Sequence, residues 1–377
     1  MLGNHRLLDK CMGPGCASSR ISLGCKSLMF AAAVIIFCLI LVYCRGCTDK
    51  PQEYTGERFI MDTLVSVKVY SCDPQIGPRA LQEAFDQFSR IANLTDRFAV
   101  KNMPDPEISD IYRVNKNAGI KPVIVSNDTL TMLEQSSYFA DQCNGVFDVT
   151  IGPLMDLWGF GQNQYRIPSD QELQTSIALL GYKRIVIDKA ARTVFLPEKG
   201  MEIDLGGIAK GYATDMAVSK LRKLGIKSAI INAGGSIYAL GSKPDGSPWL
   251  AGIQDPRNKN RIIAVLKIRN CAVATTGDYE RYFIKNGVRY HHILNPFTGQ
   301  PARNVISTTV VASNATEADA LSTMLFLLGP VAGMELIEEM PYTRAVFVDN
   351  LHRVIYTREL NRQIDFEDGG GYTIVPQ

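Results

Sequence analysis

A segment that joins an apolar run to a glycine pair and a lysine has the composition of a phosphate-binding loop. It reads MEIDLGGIAKGYATD, residues 201–215, and fits neither GxxxxGK[ST] nor GxGxxG. Glycines let a ligand approach the main chain, the helix start after them offers free N–H groups to an anion, and Lys210 adds positive charge. Asp204 could accept hydrogen bonds from the same ligand. A tight strand-to-helix turn with an exposed lysine explains these residues equally well.

A second segment, NATEADALSTMLFLLG at 314–329, has oxygen-bearing side chains at helical spacing. Asp319 and Thr323 are four residues apart, so a helix places them on one face, with Ser322 beside them. Carboxylate and hydroxyl oxygens suit Mg²⁺, which uses few protein ligands and keeps waters and phosphate oxygens. The alternative is a capping box formed by Thr316 and Asp319, followed by a plain helix interior.

Two adjacent histidines in TTGDYERYFIKNGVRYHHILNPFTG, residues 275–299, are half of the four in the chain. Neighbouring side chains of a strand face opposite ways, so we expect one of His291 and His292 to face a pocket. Histidine is a natural general base near neutral pH. Asp278 and Arg281 lie nearby in the sequence, although a lone histidine is more often structural.

A fourth feature, CNGVFD at 143–148, follows a predicted helix and carries an aromatic ring and a carboxylate side by side. A ring system could stack on Phe147 while Asp148 accepts hydrogen bonds from its N–H groups. Phe147 as an ordinary core residue explains the sequence equally well.

The elements that must position these residues are a mixture of strands and helices. Apolar periodicity predicts helices over 78–93, after Ser126, after a Ser169/Glu172 capping box, over 208–223 and over 315–328. Strand patterns fall at 61–70, 184–188, 193–197, 262–268, 271–275, 306–312, 344–348 and 353–356, with two more around Gly234 and Gly235. Because no regular βαβ period connects them, we predict an α+β fold.

Composition excludes several classes of protein. The 377 residues carry 40 basic and 38 acidic side chains, a net charge of +2, with no basic run, so we expect no nucleic-acid partner. Six of the nine cysteines lie in the first 47 residues, which argues against a disulfide-built body.

The N-terminal region predicts a membrane anchor. The apolar run LMFAAAVIIFCLILVY at 28–43 follows several basic residues, so the chain after residue 45 should cross to the periplasm or cell exterior. Either the segment is an uncleaved helix or Cys47, after Gly46, is lipidated; Arg45 is unusual at such a site. We therefore divide the chain into an anchor (1–47), a tether (48–57) and a catalytic domain (58–377).

From about residue 58 to the end, the chain resembles one family, the bacterial ApbE flavin transferases, or FAD:protein FMN transferases. The matching motifs are MDT at 61–63, IYRVN at 111–115, GVFDVT at 145–150, DLGGIAKGYATD at 204–215, NAGGSI at 232–237, GIQDP at 252–256, TTGDYERYF at 275–283, RYHHILNPFTG at 289–299 and ATEADALSTMLFLLG at 315–329. Any one of them is weak, but nine in register are specific.

The resemblance implies an ApbE-like (T-fold-like) fold with FAD in a cleft between two lobes, and a Mg²⁺-dependent enzyme. Such an enzyme splits the pyrophosphate of FAD, attaches FMN to a threonine or serine of an acceptor protein, and releases AMP. Family acceptors are subunits of Na⁺-pumping (Nqr-type) or Rnf-type redox complexes with a D-G-x-[ST]-G-A-[ST]-like motif.

The resemblance also assigns roles to residues of this chain. The base for the acceptor hydroxyl corresponds to His292, and the metal ligands correspond to the Gly207 carbonyl, Asp319 and Thr323. The expected FAD contacts are Met61, Phe98, Val146, Phe147, Asp148, Asp204, Lys210 and Ile293.

The chain departs from the family pattern in several places. Asp62 and Thr276 replace a glycine and a serine, and Ser322 stands where some relatives have a second carboxylate, which lowers the negative charge of the metal site. An apparent insertion, residues 100–105, follows Phe98. Two other functions stay open: a periplasmic FAD pyrophosphatase that yields FMN and AMP, and a non-catalytic FAD-binding lipoprotein.

Overall fold

Residues 50–98, 109–161, 164–367 and 371–377 are described by a computed structural model. Contacts divide the chain between Lys50 and Pro51, and the fold below belongs to the unit Pro51–Gln377. Within the described residues, no helix has both the length and the apolar character needed to span a bilayer. The anchor predicted for 1–47 lies outside the described residues.

The strands vary from two to eleven residues. In chain order they are β1 (Gln52–Ile60), β2 (Thr63–Ser71), β3 (Val123–Ile124), β4 (Val186–Asp188), β5 (Thr193–Phe195), β6 (Ser228–Ala233), β7 (Ser236–Leu240), β8 (Trp249–Asp255), β9 (Asn258–Ile268), β10 (Cys271–Gly277), β11 (Tyr282–Lys285), β12 (Val288–His291), β13 (Val305–Ala312), β14 (Arg344–Asp349), β15 (Arg353–Tyr356), β16 (Ile364–Phe366) and β17 (Thr373–Pro376).

The helices carry the residues that fix the candidate site. They are α1 (Ile76–Thr95), α2 (Asp110–Lys116), α3 (Asn127–Gln142), α4 (Gly152–Trp158), α5 (Asp170–Ile177), α6 (Ala209–Lys223), α7 (Ala315–Leu328) and α8 (Pro330–Glu338), with short 3-10 helices at Tyr182–Arg184 and Arg358–Arg362.

The described strands form one large sheet and three small ones. The large sheet has nine strands in the order β1-β2-β6-β7-β10-β13-β14-β15-β17, antiparallel except for the β15–β17 pair. The small sheets are β16-β9-β8, β3-β5-β4 and the hairpin β11-β12. The mixture without a βαβ repeat confirms the predicted α+β class.

Strand β13 shows why the large sheet is the middle layer. All eight of its residues, VISTTVVA, are buried, as expected for a strand covered on both faces. Helices α6 and α7 and the core residues Val310, Ala272 and Phe347 lie on one face. Residues of β8 and β9, such as Trp249 and Leu266, pack with Val273 and Val311 on the other face.

Several predicted elements are confirmed with small changes of boundary. The helix expected over 78–93 spans 76–95, the helix over 208–223 spans 209–223, and the Ser169/Glu172 capping box forms in full. The helix after that box ends at Ile177 rather than Gly181, and the 184–197 hairpin is present.

The expected tether at 48–57 needs a correction, because residues 52–57 belong to β1. Strand β1 pairs along its whole length with β2, and the pair turns at Met61 and Asp62, both with positive φ. Six residues of β1 and its turn are polar or charged, and only Tyr54, Gly56 and Ile60 of the strand are partly buried. An edge strand of this kind has no strong apolar alternation to predict it.

Helices α6 and α7 approach unusually closely where α6 begins. A Cβ built on Gly211 would lie 2.2 Å from the carbonyl oxygen of Ala315 and 2.8 Å from the Cβ of Asp319. Asp215 of α6 accepts hydrogen bonds from the Ala315 and Thr316 amides at the start of α7, each at 2.8 Å. Close packing of the two helices therefore requires glycine at position 211, since a larger residue would have no room for its Cβ.

We predict that Gly211→Ala lowers the free energy of unfolding by about 1–3 kcal/mol, because overpacking outweighs the gain of about 1 kcal/mol in helix propensity. Urea unfolding measures the change. The control is Lys223→Ala on the exposed surface of α6, which should alter stability by less than about 0.5 kcal/mol. A Gly211→Ala variant as stable as the parent would show that the helices separate at no cost.

Candidate active site

The carboxylate of Asp319 lies where α6 and α7 meet, and the residue is 5% exposed. Its Oδ2 accepts a hydrogen bond from the Gly211 amide at 2.9 Å. Its Oδ1 lies 3.4 Å from the ammonium nitrogen of Lys210, which also donates to the Gly206 carbonyl at 3.3 Å. One carboxylate oxygen is thus fixed by the backbone, while the other faces a cation.

The alternative of a capping box formed by Thr316 and Asp319 is wrong. The N-cap of α7 is Asn314, whose side chain accepts a hydrogen bond from the Glu317 amide. Thr316 instead donates its hydroxyl hydrogen to Asp215 at 2.5 Å. Asp319 is therefore free to make its contacts with α6 rather than with its own helix.

Three hydroxyls form a chain next to Asp319. Ser322 donates to the backbone carbonyl of Asp319 at 2.8 Å, and Thr276 lies 2.7 Å from Ser322 and 3.2 Å from Thr323. Each hydroxyl has one hydrogen, so Thr276 donates to Ser322 and Thr323 donates to Thr276. This direction leaves the lone pairs of the Thr323 oxygen available to a cation.

The glycine pair forms a corner against this chain. The position of a Cβ on Gly207 is 3.0 Å from the Phe147 ring and 3.8 Å from the Thr323 hydroxyl oxygen. The Gly206 amide donates to Asp204 at 2.8 Å, which fixes the turn from the preceding segment. The structure thus places Gly207 near Thr323 and Lys210 near Asp319, in one region.

The donor set of this corner fits a hard cation. It offers one buried carboxylate and one hydroxyl oxygen with free lone pairs, next to the glycine corner. Such a sparse oxygen set suits Mg²⁺ that keeps waters and phosphate oxygens. Among the described residues, no group of three His, Cys, Asp or Glu side chains is arranged to hold a metal.

The two histidines are now distinguished by their partners. His291 is buried, with Nε2 against the Ala302 carbonyl at 2.7 Å and Nδ1 accepting from the Ile293 amide at 3.3 Å. Nδ1 of His292 lies 3.2 Å from the Arg281 carbonyl, an acceptor, so Nδ1 carries the hydrogen. Nε2 of His292 is therefore the basic nitrogen, whereas both nitrogens of His291 serve the fold.

Burial and positive charge keep His292 neutral. Burial lowers its pKa well below the usual 6.5, and the charges of Arg281 and Lys210 lower it further. Burial also raises the pKa of Glu280, which Lys210 and Arg281 oppose. The positive charge of Lys210 thus acts on Glu280 and His292, and its ammonium lies 3.4 Å from Asp319.

Both carboxylate oxygens of Asp148 accept hydrogen bonds from other residues of the protein. Its Oδ1 accepts from the Thr150 amide at 2.7 Å and hydroxyl at 2.6 Å, and its Oδ2 accepts from the Tyr182 amide at 3.0 Å. Burial raises its pKa, which those hydrogen bonds oppose. Val146 is half-buried beside it, and Phe147 is buried against Gly207.

The three remaining residues that were predicted to contact FAD lie in different parts of the fold. Met61 is at the β1–β2 turn and packs against the main core, while Ile293 is buried and bonds through its backbone to Ala302. Phe98 stacks under the guanidinium of Arg97, whose Cζ is 4.3 Å from the ring centroid.

Arg97 is a residue that the sequence did not reveal. Its side chain is 5% exposed and contacts three carboxylates: Asp156, Glu202 at 2.8 Å and Asp204 at 3.0 Å. One guanidinium thus fixes the segment that precedes the glycine corner. The only local signal is an arginine between Asp96 and Phe98, because its partners are distant in sequence.

The comparisons with known proteins agree with this architecture. The ApbE family model matches residues 61–347. The FAD:protein FMN transferase of Treponema pallidum is 32% identical over 330 residues, 84% of this chain and 90% of that protein. The Vibrio cholerae protein of the same name is 35% identical over 317 residues, 82% and 92% of the two chains.

Solved structures give the same result. The crystal structure of the ApbE protein of Thermotoga maritima superposes with a TM-score of 0.72 at 33% identity, covering 84% of this chain and 97% of that one. The flavin transferase ApbE of Vibrio cholerae has a TM-score of 0.70 at 28% identity, covering 79% and 94%. The chain belongs to the ApbE family.

The Arg97 cluster generates a prediction about pH. Burial and the charge of Asp156 together raise the pKa of Glu202 from 4.5 to about 7, against the opposing effect of Arg97. The folded protein therefore holds a proton that the unfolded chain releases, so stability falls as pH rises from about 4.5 to 7. As pH rises across this range, the free energy of unfolding of Glu202→Gln should increase by about 1–2 kcal/mol relative to that of the parent, after allowance for solvent screening.

Chemical unfolding at pH 4.5 and pH 8 measures this gain. The control is Glu335→Gln, an exposed residue of α8, which should change stability by less than about 0.5 kcal/mol at both pH values. Equal stability differences for Glu202→Gln at the two pH values would contradict the assignment.

Proposed function

We propose that this chain is a Mg²⁺-dependent FAD:protein FMN transferase. It cleaves the pyrophosphate of FAD, attaches FMN through a phosphoester to a threonine or serine of an acceptor protein, and releases AMP. Membership in the ApbE family and the names of its relatives support the reaction class. The acceptor we propose is a redox-complex subunit of Nqr or Rnf type with a D-G-x-[ST]-G-A-[ST]-like motif.

The observation that carries this proposal is the position of Lys210. Its ammonium lies 3.4 Å from Asp319, and its charge lowers the pKa of His292 after the larger effects of burial and Arg281. Asp319, the proposed metal ligand, and His292, the proposed base, are thus both influenced by the charge of one lysine. That arrangement suits a dianionic diphosphate between the metal ligands and the base.

Different residues of the chain would have different roles in phosphoryl transfer. Asp319, Thr323 and the Gly207 carbonyl would hold Mg²⁺, which when bound would neutralise charge on the diphosphate as the P–O bond breaks. Lys210 would move from Asp319 to the phosphates. The main chain at the start of α6 would approach them because Gly206 and Gly207 have no side chains.

His292 would accept the proton at Nε2. The acceptor oxygen then forms a bond to the phosphorus on the FMN side, and AMP leaves with the electrons of the broken P–O bond. A neutral imidazole is ready to take this proton, and the arriving phosphates would raise its pKa by adding negative charge. The hydrogen bond from Nδ1 to the Arg281 carbonyl would keep the ring oriented.

We propose FAD contacts at the remaining predicted positions, in a cleft between two lobes. These are Met61, Phe98, Val146, Phe147, Asp148, Asp204 and Ile293. Since Asp148, Phe147 and Ile293 are held by the protein's own contacts, they would shape the pocket more than bind through free side chains.

We also propose a location. The basic residues and apolar run before residue 45 support an inner-membrane anchor with the catalytic part facing the periplasm or cell exterior. Cys47 is the candidate site of a lipid if the segment is cleaved.

Mass spectrometry of an acceptor peptide tests the reaction directly. The full-length chain in detergent is incubated with FAD, Mg²⁺ and a peptide with the acceptor motif. A peptide that gains one FMN, with AMP released, is the expected result. Free FMN with unmodified peptide would indicate a pyrophosphatase, and intact FAD would indicate a binding protein; either result would reject the transferase.

We predict that Asp319→Asn lowers Mg²⁺-dependent turnover at least about 100-fold, because it removes the negative charge of the metal site. An amide oxygen still accepts the Gly211 N–H, so the fold should persist. Thr323→Val should also lose turnover, and Thr323→Ser, which keeps the hydroxyl, serves as the matched control. Unchanged rates in Asp319→Asn would remove the metal assignment.

We predict that His292→Ala binds FAD with an affinity close to the parent's but loses transfer by about 10²–10⁴-fold, since a general base contributes that much. Flavin fluorescence titration measures binding, and mass spectrometry measures transfer. Parent-level transfer by this variant would place the base at another residue.

A further inference from the structure

A basic cavity lies beside the β11–β12 hairpin, one residue from His292 along the chain. Its volume is about 280 Å³, and its charged lining consists of Arg257, Arg289, Arg303 and Asp278. His291 and His352 also line it, and Asn350 provides an amide. The family motifs account for Asp278 and His291, but no role considered so far uses the three arginines.

The buried carboxylate in this cavity is already neutralised. Asp278 accepts two hydrogen bonds from Arg257, at 2.7 and 2.8 Å, and a third from Arg289 at 3.3 Å. The nearby Asp349 is held by Arg353 at 2.7 Å. Asp278 therefore needs no further cation, and the lining keeps an excess of positive charge.

Arg303 supplies that excess. It is exposed, and its guanidinium donates to the Arg289 carbonyl at 2.6 Å and lies 5.2 Å from the centroid of the Tyr290 ring. In the described part of the chain, no carboxylate comes within 4.0 Å of it. A solvent-exposed guanidinium at the edge of a cavity, with donors that make no ion pair, is suited to bind a carboxylate in bidentate geometry.

The cavity is separate from the corner proposed for the diphosphate. Arg257 belongs to the β8–β9 turn, in the layer that packs on the face of the large sheet opposite the helices. Lys210 and Asp319 belong to α6 and α7 on the other face. An anion in the cavity would therefore come from a molecule other than the diphosphate of FAD.

The hairpin connects the cavity to the base. Arg289 and His291 are two apart on β12 and share a face, and His292 follows with its amide bonded to the Arg281 carbonyl at 3.1 Å. Three residues of extended chain cover about 10 Å. Because neighbouring side chains face opposite ways, His292 is turned away from the side of Arg289 and His291. An acceptor segment that passes around the end of β12 could thus place a carboxylate in the cavity and a hydroxyl near His292.

We propose that the basic cavity binds a carboxylate side chain of the acceptor protein, a few residues from the hydroxyl that receives FMN. This inference rests on the proposed transferase function. Arg303 makes the ion pair, and Arg257 and Arg289 hold Asp278 so that it does not compete for Arg303. Recognition of the acceptor is then separate from binding of FAD.

Paired peptides test this assignment. The full-length chain in detergent is given FAD, Mg²⁺ and either a D-G-x-T-G-A-T peptide or the same peptide with asparagine for aspartate. The variants are Arg303→Gln, Arg303→Lys and the control Arg79→Gln, whose side chain on α1 is 63% exposed and which makes the same change in net charge. The readouts are kcat/KM for each peptide and KM for FAD.

The parent should prefer the aspartate peptide by about two- to fivefold, as expected for an ion pair with an exposed guanidinium. Arg303→Gln should reduce this preference to near one and leave KM for FAD within about twofold of the parent value. Arg303→Lys should keep part of the preference, and Arg79→Gln should keep all of it.

Three results would overturn the inference. The first is an undiminished aspartate preference in Arg303→Gln. The second is a rise in KM for FAD without a change in preference, which would assign the cavity to FAD. The third requires one more measurement, inhibition of transfer by inorganic phosphate: if phosphate inhibits the parent but not Arg303→Gln while the aspartate preference stays intact, the cavity is a phosphate site. Absence of transfer by the parent enzyme would instead reject the proposed function itself.

Discussion

The candidate site depends on an exchange of carboxylates between two helices. Asp215 of α6 accepts the first amides of α7, and Asp319 of α7 accepts the Gly211 amide in the first turn of α6. Each carboxylate satisfies N–H groups that a helix start leaves without partners. Asp319 is buried and Asp215 is partly buried, and their hydrogen bonds to the backbone offset the cost of removing these carboxylates from water. The two helix ends are thereby held together.

This exchange sets the rest of the site in place. With Gly211 against Ala315, Thr323 comes next to Gly207, and Lys210 extends across to Asp319. The hydroxyl chain through Thr276 ties the same helix to β10, and the segment after β10 leads to the hairpin and His292. Residues from four distant parts of the sequence therefore meet on rigid elements, as a site of precise geometry requires.

Local signals in the sequence predicted the elements and most of this corner. The Ser169/Glu172 capping box, helix α6 and the shared face of Asp319 and Thr323 follow from spacing alone. Family motifs supplied the choice between His291 and His292, and the structure adds a physical reason in their hydrogen-bond partners.

The contacts that could not be predicted are long-range. Asp319 bonds to an amide 108 residues away, and Arg97 to a carboxylate 105 residues away, and no local pattern encodes such a pair. The Thr316 capping box failed for this reason, because a short-range rule assigned a carboxylate that a tertiary contact uses. Strand β1 was missed because its polar residues mask a pairing fixed by β2.

The central claim is that the α6–α7 corner holds the cation that acts on the diphosphate of FAD. A crystal structure of the chain grown with Mg²⁺ and FAD tests it most directly. We expect the ion at about 2.0–2.1 Å from an Asp319 oxygen, with Thr323 and the Gly207 carbonyl in its coordination shell and the Lys210 ammonium moved toward the phosphates. An ion bound to the diphosphate but remote from Asp319 would contradict the account.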